Sequence, residues 1–336
     1  MKGAINMNKK ILSIILAISV ILSGCSSINT LSSNRKSNNQ PSFEEKITIP
    51  KDSEEKIEVP KEPEERLGEK KEVNETPQSN IEPNKQETGK VEPKPIENKN
   101  NQQVKTAEQN WFYQPKKDGT PSGEPPEILA LLKKYSGYYL GDTTKKVIYL
   151  TFDEGYENGY TSKILDTLKA NDVKAAFFVT TDYIKGNKDL IKRMVAEGHL
   201  VCNHSNTHPS MAQIAMKDRA KFEQEFSLTE KAFEEVTGTK MPKFFRPPMG
   251  KYSELSLSLT KELGYKSIFW SFAYKDWIVT EQPTHEYAKK IIMERTHNGA
   301  IVLLHAVSKT NTEIMDSILK EWKSKGFEFK TLNDLP

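Results

Sequence analysis

The chain has 336 residues, a formal net charge of +3 and 28% charged residues. Lysines and carboxylates are interspersed over most of it, so no basic block stands ready for a phosphate backbone and nucleic acid is not an expected partner. The two cysteines, Cys25 and Cys202, sit in unlike surroundings, which argues against a disulfide framework and against a thiolate zinc site.

In chain order, Lys9 and Lys10 precede an apolar run over 11–22 that meets Ser23-Gly24-Cys25. A run of about a dozen residues falls short of the roughly 20 needed to span a bilayer. Residues 1–25 therefore read as a lipoprotein signal with a lipobox, with Cys25 as the lipid attachment point; a short uncleaved anchor is the competing reading. The expected location is exported and lipid-anchored at the outer face of a bacterial cell membrane. Residues 26–109 are dominated by Asn, Ser, Lys, Glu and Pro with almost no aromatic except Phe43. Such a segment buries too little apolar surface to offset its ordering entropy, and it is expected to be a disordered tether.

A catalytic domain is expected over 110–336. Strands are predicted at 146–152, 175–180, 200–204, 243–245, 267–272 and 300–304, each β-branched or aromatic and bounded by turn residues. Helical patterns fall between and after them, at 160–169, 188–197, 217–236, 256–263, 284–296 and 311–325. Gly198, Gly238, Gly264, Gly299 and Gly326 each follow a helical stretch as a C-terminal stop. This alternation implies an α/β fold with parallel strands and outer helices, either a (β/α) barrel or an open doubly wound sheet.

In barrels the active site is built where strands end. Polar groups suited to acid–base chemistry stand at the ends of five of the six predicted strands: Asp153 and Glu154, His204 and His208, Arg246, Asp276 and His305. Any one of them is unremarkable in a loop, but their recurrence at successive elements is not. His204 and His208 are spaced so that two imidazoles can converge on a divalent cation if the intervening residues make one turn, and a carboxylate beside them completes a hydrolytic set. Arg246, stiffened by the following prolines, is placed to hold a base carboxylate ionised. His305 leaves a wholly apolar strand, where a lone His is often a satisfied core residue; Asp276, if it lies near, would raise the imidazole toward the value a general acid needs. Trp270, Trp277 and Tyr252 are candidates for a sugar-stacking wall, although core packing explains Trp270 equally well. His199 reads as a packing residue, His285 and His297 as surface groups, and Cys202 as a small buried hydrophobe.

Thr151-Phe152-Asp153-Glu154-Gly155, His204-Ser205-x-x-His208, Arg246-Pro247-Pro248-x-Gly250, Asp276-Trp277 and Leu303-Leu304-His305 together resemble the five ordered motifs of the polysaccharide deacetylase (NodB-homology, carbohydrate esterase 4) family, over about residues 145–332. The resemblance implies a distorted (β/α) barrel and metal-assisted hydrolysis of an N-acetyl amide. It implies catalytic roles for Asp153, Arg246, Asp276 and His305, a divalent cation such as Zn2+ on His204, His208 and Glu154, and substrate contacts from Tyr156, Pro248, Trp277 and Leu303. The family usually has Asp where this chain has Glu154, which is longer by one methylene and can bind from a shifted angle, hold a water or point away. Residues 156–161, 273–277 and 305–309 resemble the branch that makes muramic δ-lactam in spore cortex. That branch implies a peptidoglycan glycan strand as substrate and N-acetylmuramic acid as the deacetylated sugar. Deacetylation of N-acetylglucosamine in peptidoglycan or chitin-type oligomers is the alternative enzyme, and a non-catalytic wall-binding lipoprotein the alternative class. A monomer is expected.

Overall fold

The computed structural model describes residues 104–336. The signal, Cys25 and nearly all of the tether lie outside the described residues. The packed domain starts before residue 110. Lys105 donates its N–H to Glu254 Oε2 (3.3 Å) and its carbonyl accepts from the Leu255 N–H (3.0 Å), and Val104 packs against buried apolar residues. Strand β1 (Gln109–Asn110) then pairs antiparallel with β7 (Lys251–Tyr252). Residues 104–109 thus belong to the domain and not to the tether, because backbone pairing supplies the ordering that their composition does not.

The frame is an eight-stranded sheet in which every named pairing is parallel. Its path runs from β3 (Val147–Glu154) through β4 (Ala176–Val179), β5 (Leu200–Asn203) and β6 (Phe244–Phe245) to β8 (Lys266–Ile268). Two short strands, β10 (Glu328–Phe329) on β3 and β2 (Gly137–Tyr138) on β8, extend the path. Strand β9 (Ala300–His305) pairs with the other edge of β3, and beyond β8 the chain bridges β9 through Phe272↔Val302. The ring therefore closes, but with few bonds on that side. This is the distorted barrel, and it decides between the two topologies left open by the alternation.

Strand β3 is buried on both faces, so period-two geometry sorts its side chains. Val147 and Tyr149 face the barrel interior with Phe178, Cys202, Ile268 and Ile301. Ile148, Leu150 and Phe152 face the helices, and Phe152 stacks on Phe177 at 5.1 Å. Each such fully buried ring contributes on the order of 2–3 kcal/mol.

The outer layer comprises α2 (Thr161–Ala170), α4 (Lys188–Ala196), α6 (Arg219–Thr237), α7 (Glu254–Glu262), α8 (His285–Glu294) and α9 (Lys309–Ser324), near the predicted positions. Three short helices escape the periodicity reading: α1 (Pro126–Lys134), α3 (Thr181–Gly186) and α5 (Met211–Lys217). The last two are started by side-chain caps, with Thr180 accepting from the Tyr183 N–H and Ser210 from the Gln213 N–H. They are too short to show a period.

Candidate active site

Register brings the first two groups together. Asp153, the last interior-facing residue of β3, is the paired neighbour of His305, the last residue of β9. Arg246 follows β6, and its N–H bonds the Asn203 carbonyl (3.1 Å), fixing it at the same end of the ring. The guanidinium is fully buried, 4.2 Å from the Phe178 ring centre and 5.8 Å from that of Trp270. It donates through Nε to Ile268 O (3.1 Å) and through Nη1 to Asp153 Oδ1 (2.7 Å). Burial works against the Asp153 charge, but Arg246, His204 and His305 outweigh it and hold the carboxyl below the usual range. Trp270 is thus a wall of the Arg246 chamber, while Tyr252 is core, packed with Trp111 and Phe269.

His305 Nδ1 lies 2.7 Å from Asp276 Oδ1, and since a carboxylate oxygen accepts, Nδ1 carries the proton. The His305 backbone N–H also donates to Asp276 Oδ2 (2.9 Å). Burial lowers the imidazole, yet Asp276 and then Asp153 outweigh it, and His305 stands above the ordinary histidine value. The Trp277 ring is 5.5 Å from the His305 ring and is 36% exposed, so it forms an open wall beside it.

His204 Nδ1 is 2.9 Å from the Arg246 carbonyl, which can only accept. The proton therefore sits on Nδ1, and Nε2 turns its lone pair toward Asp153 Oδ2, 3.5 Å away. Burial lowers His204 and keeps it neutral against the pull of Asp153. The His208 ring is 4.8 Å from it, brought round by a tight turn with positive φ at Ser205 (70°) and His208 (57°). Ser205 Oγ accepts the His208 N–H (2.9 Å), and Asn203 Oδ1 accepts the Ser205 N–H (2.8 Å). His204, neutral and with Nδ1 committed to the Arg246 carbonyl, stands beside the His208 ring, and two neighbouring imidazoles are a donor set that suits a divalent cation.

Glu154 does not join them. Alternation puts it on the opposite face of β3 from Asp153, level with Val179 and the helix-side core. It is fully buried, and neither carboxyl oxygen has a hydrogen-bond partner. Burial pushes its carboxyl well above the ordinary range, and Glu157 and Asp153 add to the push. The expected third ligand is thereby corrected: β3 continues through 154 instead of turning at 153, so adjacent residues point oppositely. Among the described residues no three His, Cys, Asp or Glu side chains form a cation-holding group.

Of the expected substrate contacts, Leu303 shares the Asp153–His305 face and is nearly covered, Pro248 is buried in the turn after Arg246, and Tyr156 is 53% exposed. His199 is buried with Nδ1 accepting the Ala175 N–H (3.1 Å), and His285 is exposed and paired with Glu313. His297 is not a surface group: it is buried, with Nε2 2.8 Å from Ser271 Oγ. Sequence reasoning missed Asn311, whose Nδ2 donates to Asp276 Oδ2 (2.6 Å), and Gln282, whose Nε2 donates to Asp276 O (2.8 Å). The spacing of Ser308 and Asn311, a helix cap and the third residue after it, was the available signal.

A carboxylate paired with a guanidinium and an imidazole paired with a carboxylate, on neighbouring strand ends of a barrel, are groups suited to acid–base hydrolysis of a carbonyl substrate. Residues 140–268 match the pattern described as polysaccharide deacetylase. The peptidoglycan-N-acetylmuramic acid deacetylase PdaA of Bacillus subtilis is 40% identical over 226 residues, 67% of this chain and 85% of that protein. An uncharacterized 30.6 kDa protein of Geobacillus stearothermophilus is 48% identical over 67% of this chain and 84% of its own length. The solved structure of Bacillus subtilis PdaA, a family 4 carbohydrate esterase, superposes with a TM-score of 0.66 at 40% identity, covering 68% of this chain and 97% of that one. The chain belongs to the polysaccharide deacetylase family, and it is a hydrolase of carbon–nitrogen bonds other than peptide bonds.

Proposed function

We propose that this chain removes the N-acetyl group from N-acetylmuramic acid in peptidoglycan glycan strands, a step leading to muramic δ-lactam in spore cortex. One observation carries the chemistry: Asp153, paired with Arg246, and His305, paired with Asp276, are register neighbours on β3 and β9. The choice of sugar is supported by similarity to a relative whose name specifies muramic acid, across most of that relative's length.

Asp153, kept ionised by Arg246, takes a proton from the attacking water as its oxygen bonds to the acetamide carbon. His305, whose Nδ1 is committed to Asp276, presents Nε2 and gives its proton to the departing nitrogen as the C–N bond breaks, leaving acetate and the amine. A divalent cation, Zn2+ being the expected one, supplies Lewis acidity when held by His204 and His208. The freed amine lies beside the lactyl carboxyl of its own sugar, and their condensation with loss of water benefits from high effective molarity. The chain works from the outer face of the membrane, attached through Cys25.

Acetate release should be measured on glycan strands with and without stem peptides, followed by mass spectrometry of the digest. Muramic lactam from peptide-free strands is the expected product. Glucosamine without lactam would overturn the choice of sugar, and an Asp153→Asn protein as fast as wild type would overturn the mechanism.

A further inference from the structure

We propose that Asn311 is a positioning residue for the Asp276–His305 pair, gripping the far oxygen of the Asp276 carboxylate and itself held by Tyr274. The Asp276 side chain is fully buried and receives three donors: His305 Nδ1 on Oδ1 (2.7 Å), the His305 backbone N–H on Oδ2 (2.9 Å) and Asn311 Nδ2 on Oδ2 (2.6 Å). Two of these come from His305 itself and move with it. Among the described residues, Asn311 is the one donor that ties the carboxylate to a different element, the first turn of α9. Its own orientation is set, since Oδ1 accepts the Tyr274 O–H and Nδ2 must then face Asp276. The Asn311 N–H is in turn taken by the capping Ser308 Oγ (3.1 Å), so both ends of the residue are fixed.

The segment carrying Asp276 is held from its backbone side as well. Gln282 Nε2 donates to the carbonyls of Asp276 (2.8 Å) and Ile278 (2.9 Å), while Gln282 Oε1 accepts from Ser308 Oγ (2.6 Å) and the Thr310 N–H (3.2 Å). The α9 start therefore sets the carboxylate, and the carboxylate sets the imidazole. A carboxylate free to rotate would leave Nε2 aimed at the amine for only part of the time, which costs rate and not substrate affinity.

The inference rests on His305 as the proton donor. The test compares Asn311→Ala, Tyr274→Phe and His305→Gln by kcat and KM for acetate release, together with the His305 Nδ1–H resonance in 15N-histidine-labelled protein without substrate. Asn311→Ala should lower kcat at least tenfold with KM within twofold, and should shift or broaden that resonance; Tyr274→Phe should do both to a smaller extent, about two- to fivefold in kcat. An unmoved resonance and unchanged kcat in folded Asn311→Ala overturn the proposal. If that variant does not fold, Tyr274→Phe decides by the same two readouts. Full activity in His305→Gln would instead overturn the acid assignment, whereas inactive His305→Gln beside unaffected Asn311→Ala would overturn only the positioning role.

Discussion

Two carboxylates adjacent in sequence, Asp153 and Glu154, meet opposite environments one residue apart. Arg246 keeps the first charged in the site, and burial without a partner keeps the second neutral behind the sheet. In the proposed mechanism Asp153 acts deprotonated and His305 protonated. Asp153 is held below its ordinary 3.8 and His305 above its ordinary 6.5. The kcat/KM profile should therefore be bell-shaped, with its acid limb below pH 3.8 and its basic limb above pH 6.5. A basic limb below pH 6 would contradict the His305–Asp276 pairing. Glu154 gives a stability prediction of definite sign. Its folded value lies above the ordinary 4.5, so its contribution is complete below that pH and is lost as pH rises toward the folded value. Glu154→Gln should raise Tm at pH 8 and change it little at pH 4. Calorimetry at the two pH values checks this. Titration calorimetry with Zn2+ should show binding that survives Glu154→Gln and is abolished by His204→Ala or His208→Ala.

At the scale of elements, the site depends on how strands end. The turn after β6 is a case: Arg246 is followed by two prolines and then by Met249 and Gly250, both with positive φ (57° and 66°). A Cβ on Gly250 would meet Trp270 at 2.9 Å and the Trp111 Cβ at 3.1 Å, with the backbone already in a region L-residues avoid. Gly250→Ala should therefore cost about 1–3 kcal/mol and, by displacing Trp270 from the Arg246 chamber, lower kcat as well. Denaturant melts and acetate release on the same preparation measure both; a variant with wild-type stability would show that the turn is not so constrained. The strand alternation was legible in the sequence, and so were Asp153, Arg246 and His305 as strand-end residues, whereas Asp276 lies eight residues past the end of β8, beyond the Phe272 bridge to β9. The direction of Glu154 was not, because it depends on whether β3 runs one residue further before turning, and that is decided by its pairing with Val179 on β4. His297 was misread for a related reason. Its charged sequence neighbours suggested a surface, but the chain there enters β9 beneath Ser271.

For the whole molecule, the barrel is the catalytic body, and the 1–103 segment before it is read from composition as its carrier. Cys25→Ala should shift the protein from the membrane fraction to the soluble fraction or the medium while purified catalytic domain keeps its acetate-release rate; retention in the membrane would overturn the lipid attachment. What the sequence determined by itself was local or periodic: the strand–helix alternation, the glycine stops, and five polar motifs in order, which suffice for the class of fold and of reaction. What tertiary structure alone decided was closure of the ring through Phe272 and Val302, the face on which Glu154 lies, and the grip of Asn311 on Asp276 across 35 residues. The physical reason is common to all three. Each depends on a hydrogen bond or a register between elements distant in the chain, and such a contact has no period and no local composition to announce it.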